Sequence, residues 1–206
     1  MKPFLLVLFL LTLQLGADDG MSERELLDLY ADRVFRSDDS TLCIVLSSGD
    51  TVTFVDDRKP VYMEDYNALF LVDRLPEPNL WVLERDYIEY RHWILVNGSD
   101  GSNVQAIAAP VMSPDGTRLL CANEDIMAGF TDNGFQVWKL VPDGFMLEFE
   151  DISLQWGPKD AIWEDDHTIV FVKYEFDAGS YGFTTRPGKL LFVDSVWTPD
   201  DPADWE

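Results

Sequence analysis

From Thr41 to Trp197 the sequence breaks into short runs rich in Val, Ile, Leu, Phe, Trp and Thr, each bounded by Gly, Pro, Asn, Asp or Ser. This rhythm narrows the choice of folds more than any other feature, because such runs are too brief for packed helices and suit strands joined by turns. "TLCIVLSSGDTVTFVDD" reads as two strands around the turn Ser48-Gly49-Asp50. "NALFLVDRL", "NLWVLERDYIEY" and "HWILVNGSDG" follow, with Pro76, Pro78 and Asn97-Gly98 as punctuation. "TRLLCANE", "GFQVWKLVPDG", "FMLEFEDISLQW", "TIVFVKYEF" and "GKLLFVDSVW" complete the series. About ten strands with turn chemistry between them predict an all-β domain.

One helix is predicted ahead of the strands, over "MSERELLDLYADRVF". Ser22 and Glu25 form an S-x-x-E capping box, which satisfies the first orphan N–H groups. Leu26, Leu29, Tyr30 and Val34 recur at helical spacing as one apolar stripe, expected to dock on the strands. The chain opens with Met1-Lys2, an apolar run from Phe4 to Leu13, and Gly16-Ala17 before Asp18-Asp19. That is the pattern of a secretory signal peptide with cleavage after Ala17, which places the protein in the periplasm or outside the cell. The run is shorter than the ~20 residues needed to cross a bilayer. The expected layout is a signal peptide over 1–17, a helix and linker over 18–40, one all-β domain over 41–198 and an acidic tail over 199–206.

The strands also repeat. Residues 109–120, containing Ser113-Pro114-Asp115-Gly116, align at an offset of 51 with residues 160–171, turn on turn and apolar on apolar. "WILVNGSDG" at 93, "QVWKLVPDG" at 136 and "KLLFVDS" at 189 recur at offsets of 43 and 53. Internal similarity at about 40–50 residues, with four short strands per unit, marks propeller blades. Pro110, the SPDG turn and Gln136-Val137-Trp138-Lys139-Leu140 resemble a blade of the WD-repeat and TolB-type propellers. The resemblance implies an SPDG turn joining the two innermost strands of a blade. The stretch from about Tyr66 to Glu175, with "PEPNLWVL", "MAGFTDNGFQVWKL" and "WGPKDAIWEDDHTIVF", is also similar to a group of exported bacterial proteins of unassigned function. The repeats differ in length and lack the Gly-His and Trp-Asp pairs of WD repeats. The expected fold is therefore a propeller-like assembly of few blades with one N-terminal helix, and an irregular β-sandwich is the alternative.

With 38 acidic against 15 basic residues, the formal net charge is −23. Such a surface repels nucleic-acid backbones and anionic lipid and would steer a basic partner. Chemistry is sparse. His92 sits in an aromatic strand context and His167 in the turn "EDDHT", and zinc needs three or four converging ligands that no His or Cys spacing supplies. No G-x-S-x-G nucleophile elbow occurs. Carboxylate pairs such as Asp56-Asp57 and Asp165-Asp166 lie in turns, where solvation opposes the raised pKa that a glycosidase acid requires. Calcium loops of the D-x-[DN]-x-[DN]-G type are absent, which excludes an EF-hand loop but leaves an irregular carboxylate site open; no metal or other cofactor is assigned. Cys43 and Cys121 are read either as one bridge or as two buried thiols. Asn97-Gly98-Ser99 fits both a glycosylation sequon and a hairpin turn, and is read as the turn.

Aromatic residues among Gly and Asp remain: Phe130 beside Asp132 in "MAGFTDNGF", Tyr181 and Phe183 in "DAGSYGFTT", and Trp205 in the tail. These serve either as a recognition surface or as anchors for their own loops. Phe130, Asp132, Tyr181 and Phe183 are the candidate binding residues, and whether the loops after Gly129 and Gly179 line one cleft is the question a structure answers. The leading functional expectation is a non-catalytic module that binds a protein, such as an inhibitor or immunity-type binder of a basic exported protein. A carboxylate-dependent hydrolase and an envelope-associated structural module are the alternatives.

Overall fold

The computed structural model describes residues 21–59, 62, 65–142, 144–152 and 155–201. The signal-peptide segment and Trp205 lie outside the described residues. Among the described residues one helix, α1 (Glu23–Leu29), is followed by fifteen strands. The first sheet holds β1 (Val34–Asp38), β2 (Thr41–Val45) and β3 (Thr51–Val55). The second holds β4 (Ala68–Leu75), β5 (Leu80–Asp86), β6 (Arg91–Asn97) and β7 (Asn103–Ala106). The third holds β8 (Val111–Met112), β9 (Arg118–Asn123), β10 (Gly134–Val141) and β11 (Gly144–Asp151). The fourth holds β12 (Gly157–Asp165), β13 (Thr168–Asp177), β14 (Gly182–Val193) and β15 (Val196–Pro199). Each sheet is an antiparallel meander in chain order, so the domain is all-β and built of four small blade-like sheets rather than the two sheets of a sandwich.

The helix is shorter than its apolar spacing predicts. Its capping box forms, with Glu25 N–H donating to Ser22 Oγ and Glu25 Oε2 accepting from Ser22 N–H at 2.7 Å. Past Tyr30, Val34 and Phe35 pair with Ile44 and Cys43, so the sheet claims residues read as helix and linker. Leu29 is exposed, and Leu26, Leu27 and Tyr30 make the docking face instead.

The described buried residues form three clusters, one between each successive pair of sheets. Leu42, Ile44 and Phe54 of the first sheet meet Leu69, Trp81, Leu83, Ile94 and Val96 of the second, under Leu26. Leu80, Val82 and Leu95 on the other face of the second sheet meet Leu119, Cys121 and Trp138 of the third. Leu120, Phe135 and Val137 then meet Trp156, Ile169, Phe171, Leu190 and Trp197 of the fourth. Alternate residues of β5 thus enter different cores, which is why "LWVL" is apolar throughout rather than every second residue. Among the described residues no buried cluster joins the fourth sheet to the first.

The turns of the internal repeat coincide as expected. SPDG joins β8 to β9, with Gly116 at φ +70, and its counterpart joins β12 to β13. The recurring strands β6, β10 and β14 are each third in their sheet. Facing does not follow the alignment. At the offset of 43 Leu95 matches Trp138, yet the two meet in one core from opposite sides. At offsets of 51 and 53, Leu120 matches Phe171 and Val137 matches Leu190, and these pairs also meet across a core. A shift of one residue turns every side chain to the other face. The SPDG turn is longer, closing from Ser113 N–H to Arg118 O, whereas Asp165 lies directly opposite Thr168 after a bulge. Strands apolar on both faces hide that slip.

The cysteines are both buried and free. Cys43 belongs to the first sheet and Cys121 to the third, and burial pushes the Cys121 thiol up to about 12. Asn97 is 5% exposed in its turn, where its Oδ1 accepts from Ser99 N–H, which fits the turn reading rather than a glycosylated side chain. No helix among the described residues is long and apolar enough to cross a membrane.

Candidate functional site

The loop carrying Phe130 connects β9 to β10, the second and third strands of the third sheet. Polar groups hold it. Asp125 Oδ2 accepts from Phe130 N–H at 2.7 Å, Thr131 N–H at 2.8 Å and Thr131 Oγ1 at 3.0 Å. Asn123 Nδ2 donates to Thr131 Oγ1 and to the Asp132 carbonyl, and Asp125 N–H donates to Asn133 Oδ1. Burial pushes Asp125 up, but the bonds from Thr131 and Phe130 outweigh it and hold the carboxyl below the usual range. The loop therefore keeps its shape without burying Phe130, which stays 49% exposed.

Opposite stands the hairpin turn between β5 and β6, the equivalent connection of the second sheet. Tyr87 N–H donates to Tyr90 O and encloses Ile88 and Glu89. Ile88 has φ +76 at a position that favours glycine in such turns. A β-branched residue there is strained. Its N–H donates to Asp86 Oδ1. Tyr87 and Tyr90 stack at 4.8 Å, and Tyr90 lies near-parallel to Phe130 at 6.4 Å. His92 sets its ring edge-on against both tyrosines and meets Gln105 at 2.7 Å.

Between the two turns lies a cleft of about 420 Å³ lined by Ile88, Glu89, Tyr90, Arg91, Trp93, Glu124, Asp125 and Phe130, among others. Arg91 pairs with Glu84 at 3.4 Å. Asp132 is exposed and does not line the cleft, but its charge acts on His92. Burial lowers the His92 pKa from 6.5, Asp132 opposes that, and Arg85 adds to it. Asp132→Asn should thus lower the His92 pKa further, as an NMR pH titration of the imidazole would read. A lowered folded pKa means the unfolded chain binds more protons between that value and 6.5. The stability His92 carries is therefore lost as pH falls through this window, and the variant widens it downward.

Tyr181 and Phe183 do not line this cleft. They belong to the β13–β14 connection, the equivalent place in the fourth sheet. Tyr181 is 88% exposed, while Phe183 is already on β14, stacked on Tyr174 at 4.8 Å and edge-on to Phe176 at 5.5 Å. All three connections nonetheless point to one end. The Glu124 side chain lies so close to Gly157 that an added Cβ there would meet Glu124 Cγ at 2.2 Å, and Gly157 pairs with Tyr174.

A second cavity, of about 580 Å³, is lined by Glu23, Arg36, Asp39, Asp56, Arg58 and Lys59, among others. Several of its groups already pair with one another. Asp56 Oδ2 accepts from Arg58 Nη2 at 2.8 Å and Leu69 N–H at 3.2 Å, and Arg36 Nη2 donates to Glu23 Oε1 at 2.8 Å. Among the described residues no group of three or more His, Cys, Asp or Glu side chains is placed to hold a metal ion. His167 lies in its tight turn, stacked on Phe192 at 5.7 Å. Comparison with protein-family models, curated proteins and solved structures finds no match to the chain.

Proposed function

We propose that the chain is an exported, non-catalytic protein-binding module of propeller-type blades that grips a basic partner at the cleft end of its second and third sheets. The carrying observation is that Phe130 is presented by a polar cage around Asp125, so its half-exposed ring is not needed to pin the loop. An aromatic centre ringed by acids, on a chain of net charge −23, suits a basic surface. An inhibitor or immunity-type role is one form this binding would take. A hydrolase would want a carboxyl held above the usual range, whereas each resolved shift among the described carboxyls runs downward.

The test is capture from a secreted or periplasmic extract at low salt, followed by kinetics with the captured protein. Asp132→Asn should slow association and flatten its salt dependence, while Phe130→Ala should mainly speed dissociation at unchanged melting temperature. Absence of any saturable partner, or a Phe130→Ala protein that melts earlier yet binds normally, overturns the reading.

A further inference from the structure

The rings at the cleft form a ladder with uneven rungs. Tyr87 and Tyr90 are closed on each other at 4.8 Å, whereas the Tyr90–Phe130 step is 6.4 Å. The cavity lies at the wider step, since Tyr90 and Phe130 line it and Tyr87 does not. A group lodged between these two centroids falls within the ~6 Å cation–π range of both rings. Around that step the cleft supplies Glu89, Glu124 and Asp125. Asp125 keeps its charge through the bonds that shape the loop, and Glu124 spends Oε1 on Ile126 N–H.

We propose that this step is a guanidinium site, which takes one arginine side chain of the partner between Tyr90 and Phe130 with the cleft carboxylates around its N–H groups. The proposal rests on the protein-binding reading above and specifies its central contact. Arginine suits the site better than lysine for three physical reasons. Its head is planar and stacks on ring faces, it is weakly hydrated and so loses less on entering an aromatic cleft, and its N–H fork can serve several carboxylate oxygens together. A lysine ammonium is compact and strongly hydrated, and would use the charge but not the parallel rings. Arg91, which also lines the cleft, has its own carboxylate partner in Glu84 at 3.4 Å.

Three small probes separate shape from charge: arginine amide, lysine amide, and citrulline amide, which is planar but neutral. Each is titrated into the full-length protein at constant ionic strength while the ring resonances of Tyr90 and Phe130 are followed by NMR. Arginine amide is expected to shift both rings saturably, and the other two to give much smaller shifts at equal concentration. Phe130→Leu and, separately, Tyr90→Leu should abolish the arginine shift while resonances of the first and fourth sheets stay in place, which shows the variants folded. Equal shifts with lysine amide or with citrulline amide would overturn the guanidinium assignment, as would an arginine amide that moves neither ring. If the partner is still captured in that case, the protein-binding reading stands and only the arginine site falls.

Discussion

Trp138→Ala is expected to lower the unfolding free energy by about 3–5 kcal/mol, the range for emptying a large aromatic side chain from a core. Trp138 is 6% exposed, sits opposite Leu119 and packs edge-on to Phe145 at 5.7 Å. It closes the core between the second and third sheets with Leu80, Val82 and Leu95. The backbone around it is held by strands on both sides, so the site has little freedom to collapse into the space. Its indole Nε1 is buried with no hydrogen-bond partner. Trp138→Phe removes that unsatisfied donor as well as some volume, and its loss should be clearly smaller than that of alanine. Urea unfolding followed by circular dichroism reads both, and a near-zero effect of the alanine variant would mean that this core does not carry the fold.

Asp56→Ala should cost about 3 kcal/mol, the low end for breaking a buried ion pair by removing one partner. The Asp56 side chain is fully buried and lies 2.8 Å from Arg58 and 3.5 Å from Arg36. Arg36 is itself tied to Glu23 of α1 and, by a short contact, to the Leu69 carbonyl of β4. Truncation leaves Leu69 N–H without its acceptor and Arg36 beside an empty site, while Arg58, more than a third exposed, can turn to water and soften the loss. Asp56→Asn keeps an acceptor for Leu69 and should cost less. If alanine and asparagine are equal, the loss is that of the charge; if asparagine costs nothing, the charge contributes nothing and the alanine loss is one of packing and of the Leu69 acceptor.

The sequence was most legible where chemistry is local. The capping box at Ser22, the Ser48-Gly49-Asp50 and Asn97-Gly98 turns and the SPDG turn each lie where their residues predict. Phe130 was legible as a loop aromatic, though not whether it anchors its loop or is displayed, and the Asp- and Asn-rich composition that cages the backbone was visible beside it. Its partner was not. "RDYIEYRH" carries no Gly, Asn or Pro at the bend, and Ile88 in a left-handed conformation makes a turn that looks like strand. The short edge strands β7 and β8, "NVQA" and "VM", were missed because each is covered on one side only and bears little apolar signal. Val34 went the other way, since helical spacing cannot anticipate that pairing with Ile44 will outweigh it.

Among the described residues, four sheets held by three cores make a line of couplings with two ends. The second and third sheets are each clamped twice, the first and fourth once. In such a nearest-neighbour arrangement the work needed to detach a unit depends on where it stands, as in a row of stacked repeats. Opening then starts from the termini and costs most in the middle. The cleft between the turns at Tyr90 and Phe130 spans the junction of the two middle sheets, the place in the molecule that terminal fraying reaches last.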